Sequence, residues 1–348
     1  MNALCTEREF GKMPSGEKVS LFELRNSRGM VARVTNYGAI LTELHVPDKG
    51  GKVENVVLGF GEFAPYLAKH PHFGGTIGRY ANRIAGGSFE LDGETYTLVK
   101  NNGENCLHGG IKGFDKQLWK VVDSGKSVTL SYLSADMEEG FPGNLTVHLT
   151  YELTDDNALK MVYRATTDKA TPINFTNHTY FNLKGAGAGD ILEHELQLNA
   201  DEYTPFNDKQ IPTGAIVPVE GTALDFRQSR VVGTRISEVD FGGYDHNFVL
   251  RGSNGKAKQD SGELTVAAVV YEPVSGRRLT VHTTEPGIQI YTSNNLKDIT
   301  GLGGAYGKYY AICTETQHFP DSVHHPNFPN VILRPGEEYH QTTIFDFA

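Results

Sequence analysis

The sequence predicts an all-β chain of antiparallel sheets with few, short helices. Three observations carry that expectation. Apolar and polar residues alternate with period two in one segment after another, the pattern of a strand with one buried face. Turn-forming pairs fall between the alternating segments. Glycine supplies 39 of 348 residues, well above the usual ~7%, while helical periodicities are scarce.

The elements follow in chain order. GEFAPYLAKH (61–70) is the best helical candidate, and Pro65 weakens it. GSFELDGETYTLV (87–99) reads as a hairpin closed by Asp92-Gly93. SVTLSYL (127–133) alternates. NLTVHLTYEL (144–153), TDDN and ALKMVYRAT (158–166) form a second hairpin, with Asp156-Asn157 suited to its turn. INFTNHTYFNLKG (173–185) reads as a buried strand, yet it sets Asn174, Asn177, His178 and Asn182 among Phe175, Tyr180 and Phe181. Polar groups withdrawn from water without partners cost about 1–3 kcal/mol each, so something polar is expected opposite. SNGKAKQDSG (253–262) is a polar loop rather than a linker. ELTVAAVVYE (263–272), RLTVHTT (278–284), GIQIYTS (287–293) and NVILRPGEEYHQTTIFDF (330–347) complete the strands, the last broken by a Pro335-Gly336 turn. No repeat or low-complexity tract divides the chain, which reads as a single domain over 1–348. Periodicity alone does not separate barrel, propeller and sandwich.

A net charge of -10 with no basic stripe argues against a nucleic-acid partner. The start, MNALCTEREFGKM, has no apolar signal region, and no stretch of ~18 apolar residues suggests a membrane span. Cys5, Cys106 and Cys313 are widely spaced, with no CxxC, and are expected as reduced thiols in a cytoplasmic protein. Two sequons, at Asn174 and Asn177, flank His178, which also fits a compartment without glycosylation. A monomer or weak homodimer is expected.

Five polar clusters stand out: GRYANRIAGG (78–87), NNGENCLHGG (101–110), the His178 segment, GGYDHNFVL (242–250) and AICTETQHFPDSVHHP (311–326). Each has a plain structural reading. Arg79 and Arg83 would lie on a solvated face. His108 would cap a turn before Gly109-Gly110, Asp245 would start the following strand, and Glu315 would face solvent. His178 would be a satisfied core histidine. The pair His70 and His72, and His318, His324 and His325 beside Glu315 and Asp321, match no ligand spacing such as HExxH. PDSVHHPNFP is a proline-rich loop whose histidines, His324 and His325, are read as solvated, and no metal is expected. GLGGAYG (301–307) does not join a strand to a helix, so no phosphate cradle is read there. No GxSxG occurs. His, Glu, Asp and Arg without a metal, nucleotide or nucleophile motif fit acid–base chemistry on a polyol.

Taken together, GRYANRIAGGSFELDGETYTL, NCLHGGIKGFDKQLW, NFTNHTYFNL, YDHNF, ETQHFPD and LRPGEEY resemble the galactose mutarotase (aldose 1-epimerase) family, in order from about residue 30 to the C-terminus. The resemblance implies a β-supersandwich and interconversion of the α and β anomers of D-galactose and D-glucose, without a cofactor. It implies Glu315 as base, His178 as acid and His108 as support for the ring oxygen. Asn82, Arg83, Asp245 and Gln289 would hold sugar hydroxyls. Tyr80 stands where the family commonly has Val. Trp119 is expected in the core rather than stacked on a sugar. Two alternatives remain: a hexose-6-phosphate 1-epimerase, for which Arg79 is the only spare cation, and a sugar-binding module without catalysis.

Overall fold

The computed structural model describes residues 4–258 and 262–348, and in it the alternating segments become sheets. Leu145–Leu153 buries Leu145, Val147, Leu149, Tyr151 and Leu153. Its hairpin partner Ala158–Thr167 buries Leu159, Met161, Tyr163 and Ala165. Asn157, at φ +68°, takes the left-handed conformation that asparagine tolerates in a tight turn. These two strands lie within a nine-stranded sheet ordered 120–124, 127–134, 145–153, 158–167, 339–347, 278–283, 265–271, 195–198, 230–231. All its neighbours are antiparallel.

A six-stranded sheet packs on it, ordered Tyr180–Phe181, Ile312–Gln317, Gly287–Tyr291, Asp245–Leu250, Ala200–Tyr203, Val217–Pro218. Phe248, Leu250, Ile288, Ile290 and Ile312 share one apolar cluster with Val281, Phe345 and Phe347 of the nine-stranded sheet. Phe181 meets Phe345 edge-on at 4.9 Å. That is sandwich packing, and the same cluster takes in Phe22, Leu24, Val34 and Leu44 of a five-stranded N-terminal sheet. Period two then turns Asp245, Gln289, Tyr291 and Glu315 to the far face of the six-stranded sheet. In an ordinary sandwich that face is wet. Here the segments 71–83 and 102–110 cover it and leave a cleft.

The remaining expectations divide. The helix is a single turn, Ala64–Leu67, with proline in its first positions. The early hairpin pairs Ser88–Leu91 with Glu94–Thr97 across Asp92 and Gly93, both at positive φ. The Pro335-Gly336 turn separates strands with different partners: Ile332–Leu333 pairs with Thr171–Pro172, and Tyr339–Phe347 with Ala158–Thr167. Trp119 is buried and donates its indole N–H to the Phe114 carbonyl at 3.1 Å, a core role. Part of the 253–262 loop, residues 259–261, lies outside the described residues. No helix among the described residues is long and apolar enough to cross a membrane.

Two expectations are corrected. The 173–185 segment is buried but is not one strand. It makes two short ladders, Thr176–Asn177 against Thr76–Ile77 and Tyr180–Phe181 against Ile312–Gln317, with His178 in the break. Arg79 is not on a solvated face. It is 2% exposed and donates to the Ser134 hydroxyl and to the carbonyls of Ser134, Ala135, Pro142 and Gly143. Burial lowers its pKa to about 10, so it stays charged while its donors bind carbonyls at and beyond the end of strand 127–134.

Candidate functional site

The floor of the cleft is two adjacent rows of one sheet face. Tyr180, Cys313, Tyr291 and Asp245 pair in register across four strands. The next row is Glu315, Gln289 and Asn247. Directly opposed side chains on an antiparallel sheet share a face, so Glu315, Gln289, Tyr291 and Asp245 reach one cavity from three strands.

The walls come from loops. His178 emerges between the two short ladders, and its backbone is pinned both ways: its N–H bonds Gly75 O at 2.9 Å, and its carbonyl accepts from Gly74 N at 2.9 Å. Its ring lies parallel to Tyr180, 4.9 Å away and tilted by 6°. The asparagines around it bind backbone. Asn174 clasps His318 through both its N–H and its carbonyl, Asn177 donates to Gly74 O, and Asn182 donates to Gly189 O and Tyr310 O. The polar partner expected opposite this segment is therefore mostly protein, and it ties the segment that carries His178 to its neighbours.

Arg83 and Leu107 face each other in a two-stranded ladder, which joins Asn82 to His108. Asn82 and His108 both have positive φ, +62° and +53°. The Asn82 N–H donates to His108 Nδ1 at 3.2 Å, and the His108 N–H donates to Asn82 O at 3.0 Å. Nδ1 is thus the acceptor, so in the neutral ring Nε2 carries the hydrogen. Asn82 Oδ1 braces the Arg83 N–H at 2.9 Å. Arg83 also holds Asn102 Oδ1 at 3.1 Å and Gln210 Oε1 at 2.8 Å. Gln210 in turn donates to Asp245 Oδ2 at 2.9 Å, while Gln289 donates to Asp245 Oδ1 at 2.7 Å.

All seven residues singled out from the sequence, Asn82, Arg83, His108, His178, Asp245, Gln289 and Glu315, line one cavity of about 220 Å³, with His72, Tyr180, Tyr291 and Asn295 beside them. A cavity of about 150 Å³ holds benzene, so this one suits a single six-membered ring with polar substituents. The solvated readings of Arg83 and Glu315 are corrected: Glu315 is 2% exposed, because the loops close over its sheet face. For the His70 and His72 pair the sequence shows only a spacing that matches no ligand pattern. His70 packs edge-on against Phe60 and Tyr66, and His72 lines the cavity. Gln210 was missed as well, and the loop NDKQIPTG gives no signal for it.

Glu315 Oε2 and His178 Nε2 are 3.7 Å apart. Burial pushes the Glu315 carboxyl well above the ordinary 4.5, with Asp245 adding to the rise and Arg83 opposing it. Burial, then the neighbouring His72, pulls His178 down to about 3. Burial likewise holds His108 well below 6.5. Glu315 Oε2 and Gln289 Oε1 are buried atoms with no hydrogen-bond partner among the described residues, the condition a bound polar ligand would relieve.

His108, His178 and Glu315 bring ligand atoms within 4.8 Å of one another. The donor set nonetheless does not suit a resident cation. His108 Nε2 carries its hydrogen toward the cleft, and a metal ligand must offer a lone pair there.

Comparison with known proteins gives one answer. The model of the family described as Aldose 1-epimerase matches residues 20–346. The chain is 46% identical to galactose mutarotase of Sus scrofa over 346 residues, 99% of this chain and 98% of the relative. It is 40% identical to aldose 1-epimerase of Escherichia coli (strain K12) over 342 residues, 96% of each chain. Among solved structures, galactose 1-epimerase from Lactobacillus acidophilus NCFM aligns at TM-score 0.85 with 29% identity, covering 100% of this chain and 99% of that one.

Proposed function

Because the chain belongs to the aldose 1-epimerase family, we propose that its cleft opens and recloses the pyranose ring of D-galactose and D-glucose by acid–base catalysis, exchanging their α and β anomers. The chain is an isomerase acting on a small sugar. The observation that carries the mechanism is the 3.7 Å approach of a buried carboxylate and a buried imidazole beside unsatisfied polar atoms.

Ring opening needs two proton transfers at two atoms. The anomeric hydroxyl loses a proton and the ring oxygen gains one as the C1–O bond breaks. Glu315 takes the first proton. His178 gives the second, and the N–H of His108 Nε2 supports the ring oxygen as charge develops there. Rotation about C1–C2 presents the other face of the aldehyde, and the reverse transfers close the ring and restore both groups. Each positioned group contributes about 10²–10⁴-fold, or together roughly 5–11 kcal/mol at ~1.36 kcal/mol per decade.

Burial drives Glu315 and His178 toward their neutral forms, so the pair holds one proton over a wide pH span. Those directions place the proton on Glu315 at rest; the arrangement that performs both transfers has it on His178 and the charge on Glu315, so bound sugar must favour that shift. Arg83, Asp245 and Gln289, cross-braced through Gln210, would grip hydroxyls through charge-assisted bonds. Asn82 orients Arg83 and completes the wall.

The phosphorylated-sugar alternative finds no support in this cavity. Arg79 is committed to backbone carbonyls, and Arg83 is the one lysine or arginine among the described lining residues, with Asp245 and Glu315 near it. Polarimetry of freshly dissolved α-D-galactose and α-D-glucose tests the reading. The expected result is a faster approach to anomeric equilibrium in proportion to enzyme. Tight sugar binding with no acceleration of either sugar would make the chain a binding module instead.

A further inference from the structure

His72 lies in the HPHFGG loop, with φ +60°. That loop is tied to the segment bearing His178, since Gly74 N donates to His178 O. The His72 ring is held from behind: its Nδ1 lies 2.7 Å from Asp115 Oδ2. Asp115 is 1% exposed. Burial alone would raise its carboxyl, but His72 and Lys116 outweigh that and hold it at about 2. The carboxylate accepts, so Nδ1 carries the hydrogen, and Nε2 of the neutral ring is left as a lone-pair acceptor. The side chain is 24% exposed and lines the cavity, so this acceptor faces the cleft.

Its position relative to the catalytic groups narrows what it meets. The His72 ring is edge-on to His108 at 5.0 Å and parallel to His178 at 5.9 Å. On the mechanism proposed above, on which this inference rests, both of those histidines serve the ring oxygen and Glu315 serves the anomeric hydroxyl. The ring oxygen has two carbon neighbours. C1 lies toward Glu315, so C5 lies on the other side. Pro71 and Leu107 line the cavity beside His72 and offer apolar surface next to a single acceptor. A methylene carrying one hydroxyl fits that combination.

We propose that His72 is a specificity-determining residue that accepts a hydrogen bond from the hydroxymethyl group on C5 of a hexose. Sugars without that hydroxyl, such as 6-deoxyhexoses, leave the acceptor unpaired and turn over less efficiently.

The test compares D-galactose with D-fucose, its 6-deoxy counterpart, each added as the pure α anomer. The wild-type kcat/KM is expected to favour galactose about tenfold, the scale of one hydrogen bond. In His72→Phe that ratio should fall to near one. His72→Gln, which keeps an acceptor on a shorter arm, should retain part of it. A ratio unchanged in His72→Phe, with both sugars still accelerated, overturns the proposal and leaves the epimerase reading standing. No acceleration of either sugar by the wild type overturns both. Loss of activity in His72→Phe through misfolding is recognised by circular dichroism, and the His72→Gln ratio then decides.

Discussion

A carboxylate and an imidazole buried at 3.7 Å in a covered cleft behave differently from the same groups in water. The penalty for burying charge falls on each separately, raising Glu315 and lowering His178. The sign for activity follows. A second proton enters the pair only as pH falls toward about 3, the depressed value of His178. The single working proton leaves as pH rises through the elevated Glu315 value. kcat/KM is therefore expected to hold through pH 4.5, the ordinary carboxyl value, and to decline on the alkaline side. A pH–rate profile with an acid limb centred near 4.5 would contradict this. Removing the carboxylate while keeping its shape, Glu315→Gln, is expected to cut kcat by about 10²–10⁴ with sugar affinity largely kept, as read by steady-state kinetics beside calorimetry. Residue types and order were readable in the sequence for this site. Burial was not: Arg79 and Arg83 stand four positions apart in one motif, yet one is a structural strut and the other lines the cleft. His72 was passed over because a histidine in a proline- and glycine-rich loop carries no mark of what folds over it.

At the scale of elements, the alternation in GIQIYTS and DHNFVL fixes which side chains share a face, and the hairpins appear where their turn pairs predicted. The His178 segment shows the limit. Its apolar content reads as strand, but its asparagines compete for backbone groups and break the ladder where the histidine must leave it. Asn174 is the clearest case, fully buried and bonded to both the N–H and the carbonyl of His318. Asn174→Ala would strand those backbone groups. It is expected to lower unfolding free energy by about 1–3 kcal/mol per stranded group. Urea denaturation reads this directly, and a midpoint equal to wild type would show that the clasp contributes nothing.

For the whole molecule, one apolar cluster draws on all three large sheets, and buried cations stitch their edges. Arg277, with no side-chain exposure, donates to Val46 O, Leu183 O and Lys52 O and meets Glu54 at 3.3 Å. Arg277→Met keeps much of the volume but removes one donor from each of three carbonyls, of which Lys52 O keeps Asp48 N and Leu183 O keeps Ser275 Oγ, and is expected to cost about 1–3 kcal/mol. Unfolding should still occur as one transition by fluorescence and circular dichroism; two separated transitions would show that the N-terminal sheet is an independent unit. The sequence by itself determined the cleanly alternating strands from residue 87 onward, their faces, their turns and the residues able to carry acid–base chemistry, while the N-terminal sheet (4–55) was not read from it. Those properties are set by local period and by side-chain type. Only the tertiary structure decided which polar residues lie in the covered cleft and which brace the backbone. That depends on loops distant in sequence closing over a sheet face, and a polar side chain looks the same in the sequence whether it ends up covered or wet.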